Sequence, residues 1–313
     1  MLGQWMESEI REQATVLPRE APRYEAELRK VFAGRKFDLI VIAARGSSDH
    51  AALFARYLIE IHLGIPVSLA APSVITQFGG QLHYPGRTLG IGISQSGAAP
   101  DVAEVLQHMK DAGQGTLAIT NTADSRMTHV ADHSLVLGVG EERSIAATKT
   151  FTASLAAVMA LVRALGGEVP SFEMRSSWVE EAFEFADRHA SDLMPRAPLV
   201  VLGRGYAYPI ALETALKLME CALIPAKAYS SADFEHGPRA LAGPEAALLE
   251  VNTMSAPTDL PAQHLEWPAY NLPAELAAIP QAIVGQCLAL KLARLRNHDP
   301  DRAPRLKKVT ETT

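Results

Sequence analysis

Two cysteines, Cys221 and Cys287, are all that 313 residues contain. So few cannot build a disulfide framework, and neither has a metal-ligand neighbour at useful spacing, so buried, reduced thiols in a cytoplasmic compartment are expected. The ten histidines are scattered without a convincing i+3 or i+4 partner, and no metal or other cofactor is expected. Blocks of Lys and Arg are missing before the last dozen residues and the net charge is −6, which argues against nucleic acid as a partner. No run reads as membrane-spanning, and the first twenty residues mix acids into every turn, unlike a signal peptide. Both nucleotide fingerprints fail as well: there is no Walker-type Gly-Lys-Ser/Thr, and Gly203-Arg204-Gly205 continues into Tyr206 without a third glycine.

What is present is a globular composition, 48% hydrophobic and 20% charged, with length for about two domains. Residues 4–32 read as two helical pieces interrupted at Pro18 and Pro22, an N-terminal arm over 1–34. Short apolar runs at 38–44, 66–70, 88–93, 115–120 and 134–137 alternate with helical spacing at 50–62 and 100–111. A long helix is predicted over 143–165. Strands alternating with helices predict an open parallel α/β sheet, a first domain over 35–166. A connector over 167–196 carries a charged helix at 178–188, and a second domain spans 197–313. Residues 40–46 match 199–205 in register, a weak internal duplication. The second copy looks shortened: beyond Gly237 only 246–251 resembles a strand before a helix at 279–296 and a basic tail.

One stretch, 212–239, stands out. On a helix, Glu213, Lys217 and Glu220 fall at i, i+4 and i+7 and share one edge, while Leu212, Leu216, Met219 and Leu223 form a stripe predicted to face the core. Two carboxylates and an amine at a core margin suit proton-transfer chemistry; an ordinary solvated ion pair fits the same spacing. Two polar turns, Gly46-Ser47-Ser48 and Ser94-Gln95-Ser96-Gly97, follow predicted strands and open helices, where hydroxyls and backbone N–H groups suit a phosphate. Helix capping explains either turn equally well.

The runs Arg45-Gly46-Ser47-Ser48, Ser94-Gln95-Ser96-Gly97, Ala146-Ala147-Thr148-Lys149-Thr150-Phe151-Thr152, Ala211-Leu212-Glu213-Thr214-Ala215-Leu216-Lys217, Glu235-His236-Gly237-Pro238 and Leu306-Lys307-Lys308-Val309-Thr310 resemble, in order, the double sugar-isomerase (SIS) module. That module forms the isomerase half of glucosamine-6-phosphate synthase and occurs in stand-alone amino-sugar-phosphate deaminases and isomerases. The resemblance implies two flavodoxin-like three-layer sheets flanked by helices. It implies a phosphorylated hexose or hexosamine as substrate, held at its phosphate by Ser47, Ser48, Ser94, Gln95 and Ser96, with backbone near Ala147 lining the sugar. Glu220 would move the proton between C1 and C2, Glu213 and Lys217 would support it, His236 would open the ring from the other subunit of a homodimer, and Lys308 would approach the open-chain carbonyl.

Ala99 departs from the synthase, which has a phosphate-binding threonine there. The tail differs too, leaving Lys307 and Lys308 as alternatives, and a strand and a helix are missing between 241 and 279. The chain enters its first SIS copy within forty residues of Met1, so glutamine hydrolysis is not expected. The expected activity is deamination of glucosamine 6-phosphate to fructose 6-phosphate and ammonia, with another sugar-phosphate isomerisation or a phosphosugar-sensing module as alternatives.

Overall fold

Helix α1 (Gln4–Phe32) opens the chain in a computed structural model that describes residues 1–251 and 259–308. The two expected helical pieces are one: α1 runs through Pro18 and Pro22 without a break. A proline inside an isolated helix costs about 3 kcal/mol. Here Ile10, Leu17, Tyr24, Leu28 and Phe32 are buried along the helix, and burial outweighs the local penalty. Beyond the prolines, the Arg23 guanidinium donates to the Val136 and Leu137 carbonyls and the Tyr24 hydroxyl donates to the Leu137 carbonyl.

The chain divides into two compact units. One comprises Thr15–Glu141 and Lys149–Glu173. It contains β1 (Leu39–Ala44), α2 (Ser47–Leu63), β2 (Val67–Leu69), α3 (Ser73–Thr76), β3 (Thr88–Ile93), α4 (Pro100–Asp111), β4 (Gly115–Thr120), α5 (Arg126–Val130), β5 (His133–Val136) and α6 (Lys149–Ala164). The sheet order is β2-β1-β3-β4-β5, and every neighbouring pair is parallel. All six residues of β3 and five of six in β1 are buried, as a strand covered on both faces requires, which is why both read as unbroken apolar runs. All five strands lie within two residues of their predicted places. The long predicted helix does not begin at Arg143: α6 starts at Lys149.

The other unit comprises Met1–Ala14, Glu142–Thr148 and Met174–Lys308. It contains α7 (Ser177–Leu193), β6 (Leu199–Gly203), α8 (Ala207–Ala222), β7 (Ala226–Ser230), α9 (Ser231–Phe234), β8 (Ala247–Val251), β9 (Gln263–Glu266) and α10 (Ala274–Leu295). The parallel order β7-β6-β8-β9 repeats β2-β1-β3-β4, so the two sheets share one topology and, among the described residues, the second is one strand shorter. The expected separate arm over 1–34 is thus divided, and the expected connector supplies α7, which packs on α10.

Strands β7 and β9 escape the sequence reading because Ala226-Lys227-Ala228 and Gln263-His264 carry no β-branched run to mark them. Helix α10, contrary to the reading that no run is long enough, meets the length and apolarity of a membrane span; 94% of its most apolar window is buried within the protein, as in a core helix. It meets α8 where a Cβ on Gly285 would stand 2.4 Å from Thr214 Oγ1. Gly285→Ala is therefore expected to destabilise the protein by about 1–3 kcal/mol despite the better helix former. A lower urea midpoint at unchanged slope would report it; an unchanged midpoint would mean that α8 and α10 tolerate separation.

Candidate functional site

In the unit containing β1, the chain doubles back so that β1 and β3 become neighbours, and their carboxyl ends form the switch point where open α/β sheets bind ligands. Both predicted turns are there. After β1, Gly46 at φ +56° is the N-cap of α2, with no side-chain cap, so Ser47 and Ser48 are its first helical residues rather than its caps. After β3, Ser94 N–H bonds the Ile119 carbonyl at 3.1 Å, and the Gln95 carbonyl accepts from Asn121 N–H at 3.0 Å. Ser96 Oγ accepts from Ala98 N–H at 3.2 Å, a bond local to the turn that caps no helix, since α4 has Ala99 as its N-cap and no side-chain cap. Gly97 is at φ +63°, and a Cβ there would stand 2.2 Å from Ser125 Oγ, which reserves the position for glycine.

The two turns are joined by a bond absent from the sequence reading: Arg45 Nε donates to Asp101 Oδ2 at 2.6 Å, with Asp101 buried in the first turn of α4. Ala99, the departure noted above, is the N-cap of α4, extended at φ −58°, ψ 111° and without a side-chain cap. Ala99→Ser is expected to stabilise by about 0.5–1 kcal/mol through the missing cap. A higher Tm in thermal melting would report it; no stabilisation would show that the helix end is already satisfied.

In the other unit, α8 carries the acid-base candidates, with its faces exchanged relative to expectation. Glu213 and Lys217 are 2% and 1% exposed, whereas Met219 of the leucine stripe is 42% exposed and Leu212, Leu216 and Leu223 are half-buried. The packed side is made of Leu218 and of Ala211, Thr214, Ala215 and Ala222, four small residues that admit α10 closely; size complementarity, not hydrophobicity, chose the face. Lys217 Nζ lies 2.5 Å from Glu220 Oε2 and 3.4 Å from Glu213 Oε1. Burial alone would depress the Lys217 pKa, but the Glu213 and Glu220 carboxylates outweigh it and hold it above the ordinary lysine value. Burial pushes the neighbouring Cys221 thiol up to about 12, and both cysteines are buried as expected.

Residues 142–148, with 143–148 expected to be helical, instead fold around two buried carboxylates. Glu9 of α1 accepts from the backbone N–H groups of Arg143 and Ser144 and, at 2.5 Å, from the Ser144 hydroxyl. Burial raises the Glu9 pKa, opposed by those donors and reinforced by Glu142. Glu142 Oε1 accepts from Thr148 N–H at 3.0 Å and from its hydroxyl at 3.2 Å, and Oε2 accepts from Lys308 Nζ at 2.8 Å. Ala147 is half-buried in this loop. Lys307 is exposed, so Lys308 is the tail lysine with a seat; Val309 and Thr310 of the tail motif lie outside the described residues. His236 stands exposed in the turn after α9, beside the Glu235–Arg239–Asp259 ion cluster rather than among the α8 charges. Sequence reasoning missed the pairings of Glu9, Glu142, Arg45 and Asp101, which reach partners 56 to 166 residues away and leave no local pattern.

Residues 35–164 match the SIS domain. A glutamine–fructose-6-phosphate aminotransferase (isomerizing) of Methanothermobacter thermautotrophicus is 34% identical over 245 residues, 76% of this chain and 40% of that protein. The chain belongs to the SIS-domain family. The glucosamine-6-phosphate deaminase of Thermotoga maritima superposes on this SIS protein with a TM-score of 0.78 at 25% identity, covering 95% of this chain and 99% of that one. The C-terminal domain of the Francisella tularensis glucosamine-fructose-6-phosphate aminotransferase gives 0.76 at 23% identity over 95% and 97%, a likeness of fold. The chain spans well under half the length of the Methanothermobacter relative.

Proposed function

We propose that this SIS protein interconverts an aldose and a ketose phosphate, and that its reaction is the deamination of glucosamine 6-phosphate to fructose 6-phosphate and ammonia. The observation that carries the reading is the buried Lys217 set between Glu213 and Glu220: a buried cation holding two carboxylates, one of them only half-buried, is an arrangement suited to proton transfer. Ser47, Ser48, Ser94, Gln95 and Ser96 hold the phosphate, and the backbone at Ala147 lines the sugar. His236 opens the ring, reaching from the second copy of a homodimer, and its exposure supports that role.

Glu220 takes the proton from C2 of the open-chain aldose and returns it to C1. The resulting ketimine at C2 is hydrolysed by water, which leaves its oxygen as the ketone and carries nitrogen away as ammonia. Lys217 supplies the compensating charge at 2.5 Å. Similarity to the Thermotoga deaminase over nearly the whole of both chains supports this reaction.

A coupled assay for ammonia and fructose 6-phosphate from glucosamine 6-phosphate tests it. Both products in equal amounts are expected. Isomerisation of another phosphosugar without ammonia would replace the deaminase reading, and tight phosphosugar binding with no turnover would leave a sensor.

A further inference from the structure

The tail lysine has a seat that no sequence motif announces, and the seat is built from the loop 142–148. Glu142 is buried, and its two oxygens have different partners. Oε1 receives the Thr148 N–H and hydroxyl and closes the loop on itself over six residues; Oε2 receives Lys308 at 2.8 Å. The loop thereby fixes the plane of the carboxylate, and the carboxylate fixes where the lysine ammonium stands. At the other end of the same loop Glu9 holds Arg143 and Ser144, so the segment is tied at both ends by carboxylates. A charge buried this deeply is costly unless it is paired, and the lysine pairs it.

We propose that Glu142 is a positioning residue for Lys308: through the loop it closes, it registers the tail ammonium against the backbone at Ala147. The lysine's chemistry toward the sugar rests on the function proposed above; the seating does not. Conversely, Lys308 compensates Glu142, so the end of the described chain and the loop are set together. The arrangement also selects between the adjacent lysines, since Lys307 is exposed whereas Lys308 is half-buried against Glu142.

The exposed neighbour supplies an internal control. Brief acetylation of the full chain, read by mass spectrometry, compares Lys308 with Lys307 in one molecule. In the wild type Lys308 is expected to react about tenfold more slowly, as an ammonium in a charge-assisted bond to a buried carboxylate should. Glu142→Gln keeps an oxygen for Thr148 but turns an amide toward the ammonium, and the two rates are expected to converge. In the turnover assay the same variant should lose about 10²-fold in kcat with KM within about twofold, because a displaced group costs the chemical step rather than binding.

Lys308→Gln leaves the loop intact should Glu142→Gln fold poorly. It is expected to lose at least as much kcat, and the double variant no more than either single, since the two residues act as one unit. Unchanged Lys308 labelling in Glu142→Gln would overturn the seat whatever the activity. Converged labelling with wild-type kcat, or additive losses in the double variant, would overturn the positioning role. A wild type inactive on every phosphosugar would sink the proposed function while the labelling result still decides the seat.

Discussion

Glu220→Gln is expected to lower kcat/KM for phosphosugar turnover by about 10³, within the 10²–10⁴ range of a positioned acid-base group, while the dissociation constant for the phosphosugar changes less than about threefold. The substitution is nearly isosteric, and the amide oxygen can still accept from Lys217. Lys217 also keeps Glu213, 3.4 Å away, so no charge is stranded and the fold should hold. What disappears is a group able to take a proton from C2 and give it back at C1. The direct readout is wash-in of solvent deuterium at the transferred position, present in wild type and lost in the variant. A variant that turns over and exchanges normally would show that the base is another residue, and the α8 charges would then be structural.

How much of this was legible in the sequence depends on the range over which each feature is decided. Strands β1, β3 and β4 could be read to within a residue because a strand buried on both faces is an uninterrupted apolar run, and local sequence suffices to show it. Strand β9 is four residues, Gln263-His264-Leu265-Glu266, held by pairing to β8, and nothing local marks it. The α8 charges were found by helical spacing, but their face was not. Periodicity gave leucines to the core, whereas close packing against Gly285 of α10 required alanine and threonine there and sank Glu213 and Lys217 instead. The two polar turns were visible as Gly/Ser clusters after strands. The bonds that set them and the 142–148 loop, Arg45 to Asp101 and Glu9 to Ser144, join residues far apart in sequence and belong to tertiary structure alone.

Lys217→Met is expected to produce the largest loss of stability of any single change at the site, about 3–5 kcal/mol, because it strands Glu213 at 2% exposure without its cation. For a protein of this size that corresponds to roughly 5–8 °C in Tm. In the wild type the Lys217 pKa is raised above the unfolded value, so its contribution is fully present below the ordinary lysine pKa. It is lost only as pH climbs through the still higher folded value. Wild-type stability should accordingly be indifferent to this group across neutral pH.

The variant should not be. With no cation beside them, buried carboxylates take up protons more readily than in the unfolded chain, whose glutamates titrate at about 4.3. The folded state of the variant then binds more protons than the unfolded state, and its stability falls as pH rises from that value. The Tm gap between wild type and Lys217→Met is therefore expected to be wider at pH 8 than at pH 5. Lys217→Met combined with Glu213→Gln should recover part of the loss at pH 8, since the amide carries no charge to strand. A gap that is the same at both pH values, and that Glu213→Gln does not narrow, would mean that Lys217 contributes by filling space, and the electrostatic account of the α8 site would fall with it.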